Sequence, residues 1–357
     1  MDYDSFITGL FAKAALSGVP LSGGFELTSR CTLNCKMCYI HRQGNCRAQD
    51  EKGTEWWLKL ASDAKEAGML MLLLTGGEPL LREDFYDIYS GCLGLGLMVS
   101  VNTNGTLIDS KAVEFFKKNP PQRLNITLYG MSPETYGELC GNSKAYEKVI
   151  SAILALKQAG VNIKLNYSLT PQNQQDALKA YEFAKRIEVP IQLVSYMFPP
   201  VRSCGDTVRL SAEDAAKATY LWQKNHFGNR FSEYRRLILK GEAPQEFSGE
   251  CLDKSGEKIS CRAGSTTFWV TWQGELTPCG MMTEPKASLD AVGFKGAWEH
   301  IRAEREKIIL PPQCTDCKYR KVCDICAAVS YAETGKFDGL PLYACEKAKS
   351  FMALFKE

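Results

Sequence analysis

The sequence predicts an α/β fold in which a parallel sheet precedes a small cysteine-rich domain. Between residues 23 and 198, short apolar segments alternate six times with segments of helical periodicity. Repeated strand–helix units build parallel sheets through right-handed crossovers. After residue 250 this alternation stops, and residues 251–357 hold eight cysteines, short apolar runs and many turn residues. Such a segment needs a cross-link or metal besides its own core.

The individual elements follow from apolar periodicity and from glycines that end helices. The six predicted strands cover residues 25–29, 69–76, 97–105, 123–130, 162–170 and 190–198. The predicted helices cover residues 1–22, 54–67, 83–94, 109–118, 144–159, 175–187 and 211–240. Six units are too few for a closed eight-stranded barrel, so a partial barrel and an open doubly wound sheet both remain. Either one places a site at the carboxyl ends of the strands.

Composition excludes several classes of function. The 357 residues include 43 Lys and Arg against 41 Asp and Glu, a net charge of +2. This balance does not suggest a nucleic-acid or anionic membrane surface. No apolar run approaches the roughly 20 residues of a membrane span. The first residues carry two acids where a signal peptide needs basic residues. We therefore expect a cytoplasmic protein with no nucleic-acid or membrane partner.

The cysteines depart from this ordinary composition. There are 15 of them but only three histidines. In a reducing cytoplasm, disulfides explain so many thiols poorly, and metal or redox chemistry is the better explanation. Thiolate-ligated iron–sulfur clusters suit this set better than imidazole-based metal sites do.

One cysteine motif lies directly after the first predicted strand. The segment SRCTLNCKMCYI places Cys31, Cys35 and Cys38 in a C-x3-C-x2-C loop. Three thiolates can hold three irons of a [4Fe–4S] cube, which leaves the fourth iron open to a substrate or cofactor. The alternative is three ordinary thiols in a turn.

With this motif the sequence resembles the radical S-adenosylmethionine (SAM) superfamily, which implies a partial (β/α)6 barrel and bound SAM. The resemblance continues at the ends of the second to fourth strands, in TGGEP, NTNG and TLYG. It implies that Cys31, Cys35 and Cys38 are catalytic cluster ligands. The other implied cofactor-binding residues are Gly76, Gly77, Glu78, Asn102, Asn104 and Thr127. One departure is Met37, where relatives usually carry an aromatic residue against the cofactor.

The C-terminal cysteines resemble the SPASM extension of that superfamily, with one spacing of x2 where the family has x3. This implies two auxiliary [4Fe–4S] clusters, three clusters in all. The implied ligands of the outer cluster are Cys314, Cys317, Cys323 and Cys345. Those of the inner cluster are Cys261, Cys279 and Cys326, with Cys251 as the fourth or with an open site. A zinc domain is the alternative. Of the other cysteines, Cys92 is expected in the core, whereas Cys46, Cys140 and Cys204 are expected to be surface thiols or hydrogen-atom donors.

The resemblance also implies the reaction and the partners. It implies reductive cleavage of SAM and hydrogen abstraction that modifies a peptide or protein side chain. It also implies an external electron donor of the flavodoxin or ferredoxin type. A leader peptide, where there is one, would be held by a separate leader-binding protein or by the barrel itself. The alternatives are oxidation of Cys or Ser to formylglycine, a small-molecule radical dehydrogenase, and an iron–sulfur electron carrier. In formylglycine-forming relatives an aspartate base follows the cysteine that is here Cys279, and this chain has Gly280. The implied domains are 1–22, a helical segment, 23–240, the barrel, and 241–357, the SPASM domain.

Overall fold

The computed structural model describes residues 3–40, 47–202, 207–240, 258–259, 261–323 and 325–356. Within these residues nine strands form one sheet in the order β6-β5-β4-β3-β2-β1-β7-β8-β9. The strands are β1 (Ser22–Glu26), β2 (Met71–Thr75), β3 (Met98–Thr103), β4 (Arg123–Thr127), β5 (Ile163–Ser168), β6 (Ile191–Val194), β7 (Thr267–Val270), β8 (Glu275–Thr277) and β9 (Ala287–Ser288).

Helices cover the sheet and separate the parallel strands. They are α1 (Tyr3–Ser17), α2 (Thr54–Glu66), α3 (Phe85–Gly94), α4 (Ser110–Lys118), α5 (Pro133–Cys140), α6 (Ala145–Gln158), α7 (Ala177–Arg186), α8 (Ala212–Phe227), α9 (Phe231–Leu239), α10 (Leu289–Arg305), α11 (Ala327–Thr334) and α12 (Leu342–Leu354). No helix of the described part is long and apolar enough to cross a membrane.

The order of β1–β6 decides between the two predicted architectures. These strands are neighbours in sequence order, and every adjacent pair is parallel. A doubly wound sheet reverses its strand order at a switch point, and the described strands β1–β6 show no reversal. The partial (β/α)6 barrel is confirmed.

The first strand differs from its predicted position. It spans Ser22–Glu26 rather than residues 25–29. The prediction started the strand at residue 25, but Gly23 and Gly24 also lie in it, and aromatic side chains of β7 pass directly over them. A Cβ at Gly24 would lie 2.3 Å from the ring of Trp269. Glycine here gives room for packing rather than for a turn.

The cysteine-rich segment also extends the sheet, which the sequence does not predict. β7 pairs in parallel with β1, and the antiparallel strands β8 and β9 follow it. The sheet therefore runs across the boundary expected at residue 241. The pairing joins residues more than 240 positions apart in the chain, so no local pattern in the sequence indicates it.

A second element missed by the sequence reasoning is α5. Ser132 is its N-cap and accepts a hydrogen bond from the backbone N–H of Thr135 at 3.2 Å, and Pro133 occupies the first turn. These are the residues that favour a helix start. The helix has only eight residues, too short to show a clear apolar period, yet its last turn lies beside the cysteine loop.

Candidate active site

A cavity of about 360 Å³ opens at the carboxyl ends of the parallel strands. The loop after β1 supplies one wall of it, and the ends of β2–β6 supply the others. The residues contributed from the strand ends are Thr75, Gly76, Gly77, Asn102, Thr103, Asn104, Thr127, Tyr129, Ser168 and Val194. Residues 196–201, which follow β6, close the far side with aromatic, proline and aliphatic side chains.

Cys31, Cys35 and Cys38 all line this cavity. Their loop is held against the end of α5 by two backbone hydrogen bonds. The N–H of Asn34 donates to the carbonyl of Cys140 at 2.9 Å, and that of Lys36 donates to Leu139 at 3.0 Å. The carbonyls in a last helical turn have no partner within the helix, so the loop satisfies them and is itself fixed.

The thiols of this loop lie in a low-dielectric environment. Burial raises the pKa of Cys31 to about 11, although hydrogen bonds from the Leu33 N–H and from Asn104 oppose the rise. Cys35 and Cys31 also interact electrostatically. Buried thiols of this kind stay protonated unless cationic metal centres replace the proton. Their chemistry thus fits an iron–sulfur cluster, and Cys31, Cys35 and Cys38 are the residues that would hold it.

Within the described residues, no set of three or more His, Cys, Asp or Glu side chains is arranged to hold a single metal ion. The ligands of a cubane bind different irons, so their sulfurs need not converge on one point. A zinc site, in contrast, requires four ligands around one ion.

The turn after β2 packs tightly on the cysteine loop. Gly76 has φ +149°, and a Cβ there would lie 2.5 Å from the carbonyl oxygen of Thr28. A Cβ at Gly77 would lie 2.2 Å from the carbonyl oxygen of Arg30. Both glycines line the cavity. Their missing side chains therefore bring the β2 turn against the segment that leads into Cys31.

Glu78 does not line the cavity with them. Its carboxylate is fully buried and accepts hydrogen bonds from the Thr103 hydroxyl and the Asn104 N–H, both at 2.7 Å, and from the Leu80 N–H at 3.2 Å. Burial raises its pKa to about 7 despite these hydrogen bonds. In this structure the carboxylate joins the β2 turn to the end of β3.

Asn102, Asn104 and Thr127 all face the cavity. The Asn125 amide donates to the Asn102 side-chain oxygen at 2.8 Å, which orients that amide across β3 and β4. The Asn104 amide donates to Cys31 Sγ at 3.3 Å. The structure thus brings the predicted polar residues of β3 and β4 to the same wall as the cysteine loop. Met37 lines the cavity as well.

The C-terminal cysteines fall into two spatial groups. Cys261, Cys279 and Cys326 pack around one apolar cluster and influence one another's charge, and burial raises the pKa of Cys279 to about 11 and of Cys326 to about 12. In the second group, Cys314, Cys317 and Cys345 influence one another's charge, and Cys323 packs in the same apolar cluster as Cys314. Cys251 lies outside the described residues. These are the two sets that the resemblance to SPASM implies.

The group of Cys261, Cys279 and Cys326, called here the inner group, adjoins the cavity. Met281, two residues after Cys279, lines the cavity and packs beside the inner group. Phe198, after β6, also lines the cavity and contacts the apolar clusters around both groups. Apolar side chains thus connect the cavity with both sets of C-terminal thiols.

The structure also adds residues that the sequence reasoning missed. Tyr129, Ser168, Val194 and Tyr196 line the cavity, and all of them stand at or just after strand ends, where the general rule for parallel sheets already points. Cys140, expected in a loop, lies fully buried in the last turn of α5. Cys92 is buried in the core as predicted. Cys46 and Cys204 lie outside the described residues.

Comparison with known protein sequences identifies a radical SAM domain in the barrel. The family model described as "Radical SAM superfamily" matches residues 25–184. An AdoMet-dependent heme synthase of Methanosarcina barkeri is 27% identical over 340 residues, covering 90% of this chain and 95% of the relative. A PqqA peptide cyclase of Rhizobium meliloti is 27% identical over 311 residues, covering 85% and 80% of the two chains.

Solved structures share the fold. Streptococcus suis SuiB bound to S-adenosylmethionine superposes with a TM-score of 0.68 at 17% identity, covering 97% of this chain and 83% of SuiB. The enzyme anSMEcpe with bound AdoMet gives a TM-score of 0.71 at 18% identity, covering 94% of both chains. Both likenesses extend over the parallel barrel and the cysteine-rich C-terminal part. The chain is therefore an enzyme with a radical SAM domain in residues 25–184.

Proposed function

We propose that this enzyme cleaves SAM reductively at a [4Fe–4S] cluster held by Cys31, Cys35 and Cys38, and that it removes a hydrogen atom from a side chain of a peptide or protein. The observation that carries this proposal is that all three thiols face one cavity with the Gly76–Gly77 turn. When bound, the cluster supplies the electron that breaks the sulfonium bond.

The chain's own residues bind and orient the cofactor. Gly76 and Gly77 offer exposed backbone to its amino-acid part, because a side chain at either position would meet the cysteine loop. The amide of Asn102 and the hydroxyl of Thr127 offer hydrogen bonds to its ribose from the walls formed by β3 and β4. Met37 gives the adenine an adaptable apolar contact. Glu78 acts indirectly, by fixing Asn104.

The nature of the cavity wall supports a neutral peptide segment as substrate. None of the described residues that line it is Asp, Glu, Lys, Arg or His. The wall after β6 consists of Tyr196, Met197, Phe198, Pro199, Pro200 and Val201. Aromatic and apolar walls with a few amides and hydroxyls suit an uncharged ligand. Solved structures with this fold include SuiB bound to its precursor peptide SuiA.

A tetrapyrrole is the second candidate substrate, because relatives named AdoMet-dependent heme synthase match over nearly the whole chain. Haem precursors carry several carboxylates, and burying them requires cationic partners. The uncharged wall of the described cavity therefore favours the peptide.

Oxidation to formylglycine has less support. A base at position 280 would need a side chain there, and a Cβ at Gly280 would lie 2.9 Å from the ring of Trp269. The described cavity wall offers no carboxylate in its place. A small-molecule radical dehydrogenase has no observation in its favour beyond the shared cofactor.

A triple Cys31→Ala, Cys35→Ala, Cys38→Ala variant tests the cofactor assignment. We expect it to form no 5′-deoxyadenosine under dithionite while most of its other iron remains, because the C-terminal thiols form separate groups. Cys92→Ala, which removes a buried core thiol, is the control. Continued cleavage of SAM by the triple variant would show that the catalytic cluster lies elsewhere.

A substrate comparison separates the two candidates. Short precursor peptides encoded beside the gene, and iron-coproporphyrin, are each added to the reduced enzyme with SAM. We expect a peptide to raise 5′-deoxyadenosine formation and to lose hydrogen in mass spectrometry. Turnover of iron-coproporphyrin alone would favour the tetrapyrrole.

We also propose that the two C-terminal thiol groups hold two auxiliary [4Fe–4S] clusters, with Cys251 as the remaining inner ligand, in a domain that covers residues 241–357. Anaerobically reconstituted protein should then contain about 12 iron atoms per chain. About four iron atoms with stoichiometric zinc would instead support a zinc domain. A low-potential electron donor, a separate leader-binding protein and a cytoplasmic location complete the proposal.

A further inference from the structure

A buried carboxylate stands in the segment that leads from the cysteine loop to α2. The Glu51 side chain is only 4% exposed and accepts hydrogen bonds from three residues. Arg30 donates to it from Nε at 2.8 Å and from Nη2 at 3.0 Å. Arg82 Nη1 donates at 3.3 Å, and the Thr28 hydroxyl donates as well. Among the described residues, this carboxylate therefore has three guanidinium donors and one hydroxyl donor.

The partners of this carboxylate belong to two different strand ends. Thr28 and Arg30 lie between β1 and the first cysteine, whereas Arg82 follows the turn after β2. The Arg82 side chain is itself 4% exposed, and its Nη1 also donates to the Leu27 carbonyl at 2.9 Å. The buried ion pairs therefore join the end of β1 to the segment that follows the β2 turn.

The same two segments also meet through their backbones. The Gly77 N–H donates to the Thr28 carbonyl at 2.7 Å. The Glu78 N–H donates to the Arg30 carbonyl at 2.8 Å. Thr28 and Arg30 thus bind the β2 turn through their carbonyls and the buried carboxylate through their side chains. Because Arg30 directly precedes the first cysteine, the position of that cysteine relative to Gly77 depends on both sets of contacts.

The charge of Glu51 is what holds the side-chain contacts together. The planar fork of a guanidinium matches the two oxygens of a carboxylate and fixes their orientation. A neutral amide at this position would accept from the same donors but could not balance two buried guanidinium charges. The Arg30 side chain, which is 26% exposed, would then turn toward water more readily than the buried Arg82. The segment before the first cysteine would keep only its backbone contacts.

We propose that Glu51, acting through Arg30 and Arg82, is a positioning residue that sets the spacing between the cysteine loop and the turn after β2. This inference rests on the proposed function, in which those two segments hold SAM between them. Groups that hold one ligand together must keep their relative positions to within about 0.5 Å. Loss of the Glu51 charge therefore weakens SAM binding although Glu51 does not line the cavity.

The test measures SAM binding by Glu51→Gln in the full chain with its iron–sulfur clusters under anaerobic conditions. Isothermal titration calorimetry without a reductant gives the dissociation constant while SAM stays intact. We expect this constant to rise about tenfold at unchanged iron content, the scale of one hydrogen bond to a charged group. Glu51→Asp, which keeps the charge, should recover part of the affinity.

The matched control is Asp176→Asn, at another buried carboxylate. The Asp176 side chain is 3% exposed and pairs with Lys179 at 3.1 Å. It also accepts from the Met131 N–H at 2.9 Å and from the Thr135 hydroxyl at 2.7 Å. None of these residues lines the described cavity. The control should lower the stability of the fold without changing the SAM dissociation constant.

Three outcomes decide between the explanations. An unchanged dissociation constant in Glu51→Gln, with iron content intact, would overturn the inference, and so would an equal loss of affinity in the control. If Glu51→Gln does not fold, Arg30→Lys replaces it, because lysine keeps the charge at a partly exposed site but loses the fork. A wild-type protein that binds iron but no SAM would refute the proposed function instead.

Discussion

Replacement of Glu26 by glutamine should destabilise the protein far more than an exposed charge replacement does. Glu26 ends β1, is fully buried, and accepts hydrogen bonds from Arg202 Nη1 at 2.8 and 3.0 Å and from Trp269 Nε1 at 2.6 Å. Arg202 also donates to the Gly280 carbonyl at 3.0 Å and lies 5.9 Å from the ring of Tyr39. This one ion pair therefore joins β1, the cysteine loop, the segment after β6 and the C-terminal part.

The expected loss follows from burial of the pair. Glutamine keeps the shape of the side chain but removes the negative charge that pairs with the guanidinium of Arg202. Loss of one partner of a buried pair costs about 3–5 kcal/mol. Since the Arg202 side chain retains 15% exposure, we expect a value near the lower end, about 3 kcal/mol. The matched control is Glu114→Gln, whose partner Lys118 lies 3.3 Å away on the surface of α4, with exposures of 53% and 71%. Such a pair contributes about 0.5 kcal/mol or less.

Urea unfolding of both variants under anaerobic conditions, followed by far-UV circular dichroism, measures the difference. The Glu26→Gln variant should unfold at a lower urea concentration with an unchanged slope. A second replacement, Arg202→Met, should recover part of the loss, because it removes the charge that Glu26 no longer balances. A loss within about 0.5 kcal/mol of the control would refute the reasoning, since it would mean that solvent or another group already compensates the guanidinium.

Two further predictions concern the turn after β2. Gly77→Ala should prevent SAM binding in an anaerobic binding assay, because its Cβ would lie 2.2 Å from the Arg30 carbonyl oxygen. The control Gly94→Ala, whose Cβ would meet nothing within 4 Å, should bind SAM normally. Normal binding by both variants would contradict the close packing. Burial raises the pKa of Glu78 to about 7, so its protonated form favours folding at low pH, and this stabilisation is lost as the pH rises through 7. Relative to Glu78→Gln, the wild-type free energy of unfolding should therefore fall by up to about 3 kcal/mol between about pH 5 and pH 8. An equal pH dependence of both proteins would show that Glu78 is not the titrating group.

Features carried by adjacent residues could be predicted from the sequence. The cysteine loop, the GGEP turn and NTNG are short segments that follow apolar strands, and the rule that parallel strands end at one edge places them together. The structure puts Cys31, Gly76 and Asn102 on one cavity wall, as that rule requires. The sequence alone could not distinguish the partial barrel from an open doubly wound sheet, because six strand–helix units fit both architectures equally well. The observed strand order separates the two.

Contacts between distant segments could not be predicted. Nothing near Cys140 in the sequence indicates that its carbonyl accepts from the Asn34 N–H of the cysteine loop, because the short helix α5 that carries it has no clear period. Similarly, Glu26 looks like a polar residue in a strand until Arg202 and Trp269, far along the chain, are seen to surround it. Sequence motifs identify the ligands, whereas the residues that hold the ligands depend on the completed fold.

Two carboxylates near the cavity share one arrangement. Glu26 and Glu78 stand at the ends of β1 and β2, beside the cavity, yet both are fully buried and hydrogen-bonded away from it. The described wall that remains is uncharged. In the proposed reaction, none of the described lining residues would place a charged group beside a substrate radical, and the apolar wall after β6 would restrict access of water. The buried carboxylates thus fix the segments around the cavity through their hydrogen bonds without lining it.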